Sequence, residues 1–361
     1  MKRRYKVTVR VQIGVVFIIL HLSFGYLVYP NLIYALTEVA HWRVVLLQGL
    51  FQISLIWIYI KGLNYFPKND LVDIFLKIGK WAGFILLIPF VINIIFLVAF
   101  NTRLHTDVIN EIFLSRTPNW AILFLIFSIS VYTAIKGIGT ILRSSILIFI
   151  IVVPLVLFNI FSSGINADVY NALPAWDLSV DFLIDKKFVY ILAFSSFLFL
   201  GLMTSEIKLR FGPIFLSWLI ILLFLLSVVY IPLFIFGQET VARLEIPFLE
   251  AMESVEIRWF PFSRQTMFLG ISLVGLVILA NAVMLWLIGR IIHKMAHWKL
   301  VKPSYWIIAF SITSLIIALS ITSTSWDQYI PWIAGIQLYS MIVIPLTIFI
   351  YGSFQRGGNR E

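Results

Sequence analysis

His21-Leu22-Ser23-Phe24-Gly25-Tyr26-Leu27-Val28-Tyr29-Pro30 interrupts one long apolar run, and Phe194-Ser195-Ser196-Phe197-Leu198-Phe199-Leu200-Gly201 interrupts another far along the chain. Each stretch puts a Ser-Phe pair near the middle of a segment long enough to cross a bilayer. In lipid every backbone N–H and C=O needs a partner inside the protein. Glycine, proline and hydroxyl groups within a span therefore mark points where a helix can break over a protected cavity. Interruptions in the first and sixth of ten spans are what an inverted five-plus-five repeat produces, with half-helix ends aimed at a central site. The same residue types also serve as packing positions and kinks in unbroken helices, so the motif by itself leaves both readings open.

Reading outward from these two stretches gives the rest of the fold. Apolar runs of about 20 residues suffice to cross about 30 Å of hydrocarbon. Such runs fall near 12–36, 42–61, 82–102, 119–135, 143–161, 187–204, 211–237, 266–290, 305–323 and 329–351. The chain is 61% hydrophobic and 12% charged over 361 residues, with a mean hydropathy of +1.00, which leaves no stretch for a water-soluble enzyme domain. The expected fold class is all-α integral membrane, with about ten transmembrane helices in a five-plus-five inverted repeat and broken spans 1 and 6. Residues 1–361 make a single transmembrane domain, with 1–162 the first five-span repeat and 187–353 the second. Met1-Lys2-Arg3-Arg4 ahead of an apolar run resembles a signal peptide, but the run is too long for an h-region and leads straight into further spans.

The formal net charge of +10 reflects topology and not nucleic-acid binding, because the cations sit in short loops between spans. With the N-terminus inside, 19 of the 27 Lys and Arg residues are cytoplasmic and 13 of the 17 Asp and Glu residues lie outside. The positive-inside rule thus expects an even number of spans and both termini in the cytoplasm. Trp42, Trp81, Trp120, Trp298 and Trp306 fall near span ends, where an amphipathic indole is favoured. Two outer loops, about 162–186 and 238–265, are longer than the others. In the second, Phe248, Met252, Val255 and Ile257 fall broadly opposite Glu250, Glu253 and Glu256. That pattern suits a short helix in the interface, either a solvated loop helix or a lid or docking surface.

A broken helix exposes N–H groups that can hold a carboxylate, and carbonyls and hydroxyls that can hold an ammonium group or a cation. The candidate ligand-binding residues are therefore Ser23, Phe24 and Gly25 in span 1 and Ser195, Ser196 and Phe197 in span 6. Asn93 and Asn281 lie near mid-membrane, where an amide has to face either the cavity or another helix. His21 is the one titratable side chain beside the suspected break, as a proton sensor, a ligand contact or a hydrogen-bonded structural histidine. No Asp, Glu, Lys or Arg falls at the bilayer centre. Glu206, Lys136 and Arg143 stand at inner span ends, within reach of the aqueous interface. That counts against proton coupling, although sodium needs only carbonyls and hydroxyls. No catalytic constellation is present, so an enzyme is not expected. The His293 and His297 pair resembles one half of a zinc site with no third ligand, and the absence of cysteine removes disulfides and thiolate sites. No metal and no cofactor is expected.

The chain resembles the spore germination permease family, the B subunits of nutrient germinant receptors, essentially from end to end. The likeness rests on the order and spacing of short words. These are Gln12 leading into a first span with Gly25 and Pro30, Thr117-Pro118 opening span 4, Gly137 followed by Arg143, Leu173-Pro174 in the outer loop, Phe236-Gly237 closing span 7, and Pro247 ahead of the loop helix. Where an acidic residue often follows the glycine between spans 4 and 5, Gly137-Ile138-Gly139-Thr140 carries none. The resemblance implies the fold of the amino acid/polyamine/organocation transporter superfamily and a place in the spore inner membrane. It also implies partners, a larger A subunit and a lipoprotein C subunit, and a small nutrient ligand such as an amino acid. The remaining readings are an amino-acid transporter coupled to H+ or Na+, and a purely structural membrane subunit.

Overall fold

A computed structural model of the chain describes residues 2–194, 196–203, 207–255, 266–296, 301–321 and 326–358. In chain order the helices are α1 (Lys2–Gly25), α2 (Tyr29–Tyr34), α3 (Trp42–Leu63), α4 (Leu71–Ile78), α5 (Lys80–Ile112), α6 (Asn119–Ile135), α7 (Ile138–Ser163) and α8 (Phe188–Leu192). They continue with α9 (Leu200–Met203), α10 (Phe211–Phe236), α11 (Gln238–Val241), α12 (Pro247–Glu253), α13 (Thr266–Ala296), α14 (Pro303–Ser320) and α15 (Trp326–Gly358). Eight of these helices are long and apolar enough to cross a membrane. The shorter apolar α6 and the interrupted pair α8 and α9 complete ten crossings. The chain is a multi-pass membrane protein with the five-plus-five inverted-repeat fold. The face where α1 begins is called here the near face, and the face where it ends the far face.

Local chemistry sets the boundaries. Pro30, Pro247 and Pro303 stand in the first turns of α2, α12 and α14, where their missing N–H is no loss. Gly137 has φ +87° between α6 and α7; this left-handed geometry lets the chain reverse within one residue. Asp70 caps α4, accepting from Asp73 N at 3.1 Å, while the Asp73 carboxylate accepts from Asp70 N at 3.1 Å.

The core is built around α1 and α13. Nearly all of α13 is buried, packed on α1, α5, α6, α7 and α14, whereas α6, α7 and α14 turn apolar faces such as Phe124, Leu147 and Ile316 outward. Such faces suit lipid, which needs no polar cover.

Both interruptions are present, and within His21–Pro30 the break falls after the Ser-Phe pair. Helix α1 runs unbroken through Ser23, Phe24 and Gly25, turns at residues 26–28, and resumes as α2. Pro30 has no N–H to offer the carbonyl four residues back, which forces a break near that point. Gly25 is instead a contact position. A Cβ there would lie 2.6 Å from Phe224 Cε1 of α10, so the bare backbone lets the two helices touch. The second interruption lies where the sequence placed it, between the end of α8 at Leu192 and the start of α9 at Leu200.

The far-face helix α12 packs its apolar side onto the protein and leaves Glu253 exposed. Phe248 and Met252 are fully buried, and the Phe248 ring centroid lies 5.1 Å from that of Tyr26, tilted by 47°. Val255 is buried beside them, whereas Glu256 and Ile257 lie outside the described residues.

Candidate ligand-binding site

The span 6 interruption frees carbonyls that a continuous helix would use, and α3 takes them up. Gln48 Nε2 donates to Phe194 O at 2.9 Å, and Tyr59 Oη donates to Leu198 O at 3.0 Å. Gln48 and Gln52 are four residues apart and so share one helix face. Gln48 Nε2 also donates to Gln52 Oε1 at 3.4 Å, and Tyr29 Oη donates to Gln48 Oε1 at 3.5 Å. The chain of bonds ends on His21, whose Nδ1 donates to Phe17 O at 2.9 Å while Nε2 accepts from Gln52 Nε2 at 2.7 Å. This network assigns a neutral imidazole with its proton on Nδ1.

Beside the interruption lies an open cavity with about 700 Å³ of free space, the solvent at its mouth included. Leu20, His21, Phe24 and Val28 line it from α1 and the turn after it, Leu97 and Phe100 from α5, Tyr190, Phe194 and Ser196 from the broken span, and Ile333, Ala334 and Gln337 from α15. Below it, toward the near face, a second, smaller cavity, with about 350 Å³ of free space including open solvent, is lined by Phe90, Ile94, Phe199, Met284 and Leu287. The two share Leu20, Leu97, Ser196 and Gln337, so these four form a waist between an upper and a lower chamber. Among the described residues that line them none is charged. The polar groups are few and converge on an apolar wall, the pattern of a small-molecule site.

The structure separates the sequence candidates into three sets. Phe24 and Ser196 line the chamber, and Asn93 stands behind it, donating from Nδ2 to Gln337 Oε1. Ser23 and Asn281 meet elsewhere, through Asn101. Ser23 Oγ donates to Asn101 Oδ1 at 3.1 Å, Asn101 Nδ2 donates to Asn281 Oδ1 at 3.1 Å, and Asn281 Nδ2 donates to Thr102 Oγ1 at 2.7 Å. This is a buried clasp joining α1, α5 and α13. Gly25 faces α10 and Phe197 packs edge-to-face on Tyr59 at 5.8 Å, and neither borders the chamber. Ser195, Glu206 and His297 lie outside the described residues. Sequence reasoning passed over Gln48, Gln52, Asn101 and Gln337. Two glutamines four apart inside an apolar span were a usable signal for the first two.

A second polar centre closes the near face. The Asp70 carboxylate is fully buried; Lys294 Nζ donates to it at 2.5 Å and Arg290 at 3.2 Å, while Lys294 also reaches Asp73 at 2.7 Å. Desolvation pushes the Asp73 carboxyl up, but the Lys294 ammonium and the Asp70 backbone amide together outweigh it and hold the group below its usual value. The cluster ties α4 to the near end of α13.

The arrangement has relatives. A sequence model of the spore germination protein family matches residues 8–327. Spore germination protein YndE of Bacillus subtilis is 29% identical over 144 residues, which is 39% of this chain and 40% of YndE. Among solved structures the fold is similar to that of Mhp1, a nucleobase-cation-symport-1 family transporter in a closed conformation with bromovinylhydantoin bound. The TM-score is 0.65 at 11% identity, over 91% of this chain and 77% of that one. It is similar also to MhsT in complex with L-phenylalanine, with TM-score 0.65 at 15% identity over 92% and 87% of the two chains. A manganese transporter of Eremococcus coleocola gives TM-score 0.59 at 12% identity over 92% and 76%. Ten crossings with interrupted first and sixth spans, and a family match across most of the length, place this chain in the spore germination protein family of membrane permeases.

Proposed function

We propose that this chain is the membrane-embedded, ligand-sensing subunit of a spore nutrient germinant receptor. It binds a small nutrient, an amino acid, in the chamber beside the span 6 interruption and so triggers germination. The observation that carries the reading is the chamber itself, with an uncharged apolar wall and His21, Ser196 and Gln337 as its polar contacts. A zwitterion's charged ends are met by oriented dipoles at a broken helix, and the apolar wall takes a side chain. Binding signals by stabilising one arrangement of the repeats 1–162 and 187–353 over another, by as much as the ligand's affinities for the two differ. The larger A subunit and the lipoprotein C subunit receive that bias in the spore inner membrane, with both termini of this chain in the cytoplasm.

The test measures binding of radiolabelled amino acids to the purified protein in lipid discs, alongside the germination response of spores. Ser196→Leu and Gln337→Leu are expected to lose binding and response together at normal protein level. Full sensitivity in both variants would overturn the site.

A second reading, an amino-acid transporter coupled to H+ or Na+, is favoured by one observation: the lower chamber continues past the waist toward the near face. Concentrative uptake into proteoliposomes would establish it over the sensor reading.

A further inference from the structure

The upper chamber changes character along its depth. Three of its four waist residues lie on long helices, and each of these helices lines the chamber again about one turn closer to the far face. On α1, Leu20 is followed by Phe24, and on α5, Leu97 is followed by Phe100. On α15, which runs the other way, Gln337 is preceded by Ile333 and Ile330. At 1.5 Å per residue these two stand about 6 and 10 Å above the waist. The side chains added in climbing from the waist are thus aromatic or aliphatic on all three helices.

The polar groups beside this wall are few and mostly engaged. His21 is committed at both ring nitrogens, Nδ1 to Phe17 O at 2.9 Å and Nε2 to Gln52 Nε2 at 2.7 Å, so a ligand group can bond the imidazole only by displacing Gln52. The Phe194 carbonyl is likewise taken, by Gln48 at 2.9 Å. Ser196 and Gln337 stay at the waist, which leaves Tyr190 of α8 as the polar neighbour nearer the far face among the described residues. A carboxylate or ammonium on a side chain in this space would lose its water and meet no counter-charge from the described lining. A ligand that ended at the waist would leave the apolar wall facing water.

We propose that the chamber selects an amino acid with a bulky apolar side chain, of the leucine, methionine or phenylalanine class. Its amino and carboxyl groups lie at the waist beside Ser196 and Gln337, and its side chain points toward the far face among Phe24, Phe100 and Ile333. The inference rests on the chamber being an amino-acid site and adds the class and the orientation. Ile333 is then a specificity-determining residue.

Radiolabelled leucine, alanine, asparagine, aspartate and lysine are each titrated onto the purified full chain in lipid discs. Each buried methylene is worth about fourfold in affinity, so leucine is expected to bind roughly 50-fold more tightly than alanine. Aspartate, lysine and asparagine should bind more weakly than leucine by at least as much. Ile333→Ala should weaken leucine several-fold and leave alanine unchanged. Alanine or asparagine binding as tightly as leucine would overturn the class while leaving an amino-acid site in place. Equal losses for leucine and alanine in Ile333→Ala would overturn the orientation. Binding of none of the five would overturn the amino-acid reading itself and this inference with it.

Discussion

Gln48 and Phe194 stand in a donor and acceptor relationship that explains how an interrupted span survives in lipid. The amide of one span supplies, at 2.9 Å, the hydrogen bond that the backbone of another lost by breaking. Gln48→Leu keeps the volume and removes the donor, leaving a buried carbonyl unpaired, which costs about 1–3 kcal/mol. The thermal midpoint of the purified protein should fall, and ligand affinity with it, because the interruption shapes the chamber wall. An unchanged midpoint would show that the carbonyl finds another partner.

Asp70 and Lys294 supply the second prediction. Removing one member of a buried ion pair typically costs about 3–5 kcal/mol, because the partner's charge is left behind. The Lys294 side chain is 22% exposed and that of Arg290 36%, so water relieves part of that loss. Asp70→Asn is expected to destabilise by roughly 2–3 kcal/mol, and Lys294→Met by less, since Arg290 still meets the carboxylate. Equal losses from the two would mean that Arg290 does not hold the carboxylate once Lys294 is gone. The Asp73 carboxyl has a depressed pKa in the fold, so its contribution is present above the unfolded value of 3.8. It is lost as pH falls through the still lower folded value, a window confined to strong acid.

His41 governs a milder pH range. It lies between α2 and α3, 2% exposed, with Nδ1 2.8 Å from Thr37 Oγ1, and burial pulls its pKa from 6.5 to about 4. The folded state therefore keeps it neutral where the unfolded chain takes up a proton. Stability should be full above about pH 6.5 and decline as pH falls toward 4, by on the order of 3 kcal/mol. His41→Gln should flatten that decline in a series of unfolding midpoints between pH 4 and 7. A slope left undiminished by the substitution would assign the effect to another group.

How far the sequence could be read depended on whether a feature was local. The spans were legible because about 20 apolar residues in a row have one use, and the span 6 interruption because its serines and glycine sit inside such a run. The helix α4 was not legible: Leu71–Ile78 is eight residues long, and its Asp70 reads as an ordinary loop carboxylate until α13 brings Lys294 beside it. The sorting of the candidates failed for the same reason. Ser23 and Phe24 are neighbours in sequence, yet on a helix they point about 100° apart. One faces Asn101 and the other the chamber, and nothing in the sequence says which neighbour lies on which side. In the far-face loops the alternation in 248–257 was visible, whereas the packing of α12 against α10 and α13 depends on neighbours the sequence does not show.

Ser23 and Asn281 allow the division between clasp and chamber to be tested directly. Both are buried and both bond to Asn101, whose amide donates to one and accepts from the other. Removing either leaves Asn101 half-paired, and interhelical hydrogen bonds of this kind are worth about 0.6 kcal/mol on average, up to about 1.7. Ser23→Ala and Asn281→Ala should each lower the unfolding midpoint and should couple in a double-mutant cycle, since each disturbs the same amide. Neither should reorder ligand preference, because neither borders the chamber. Gln337→Leu should change ligand preference as well as stability: its carboxamide is at the waist, where it meets both chambers and Asn93. Measuring the affinity ratio of a small and a large amino acid across the four proteins separates the roles. A ratio that moves with Asn281→Ala as much as with Gln337→Leu would mean that the clasp and the waist act as one unit.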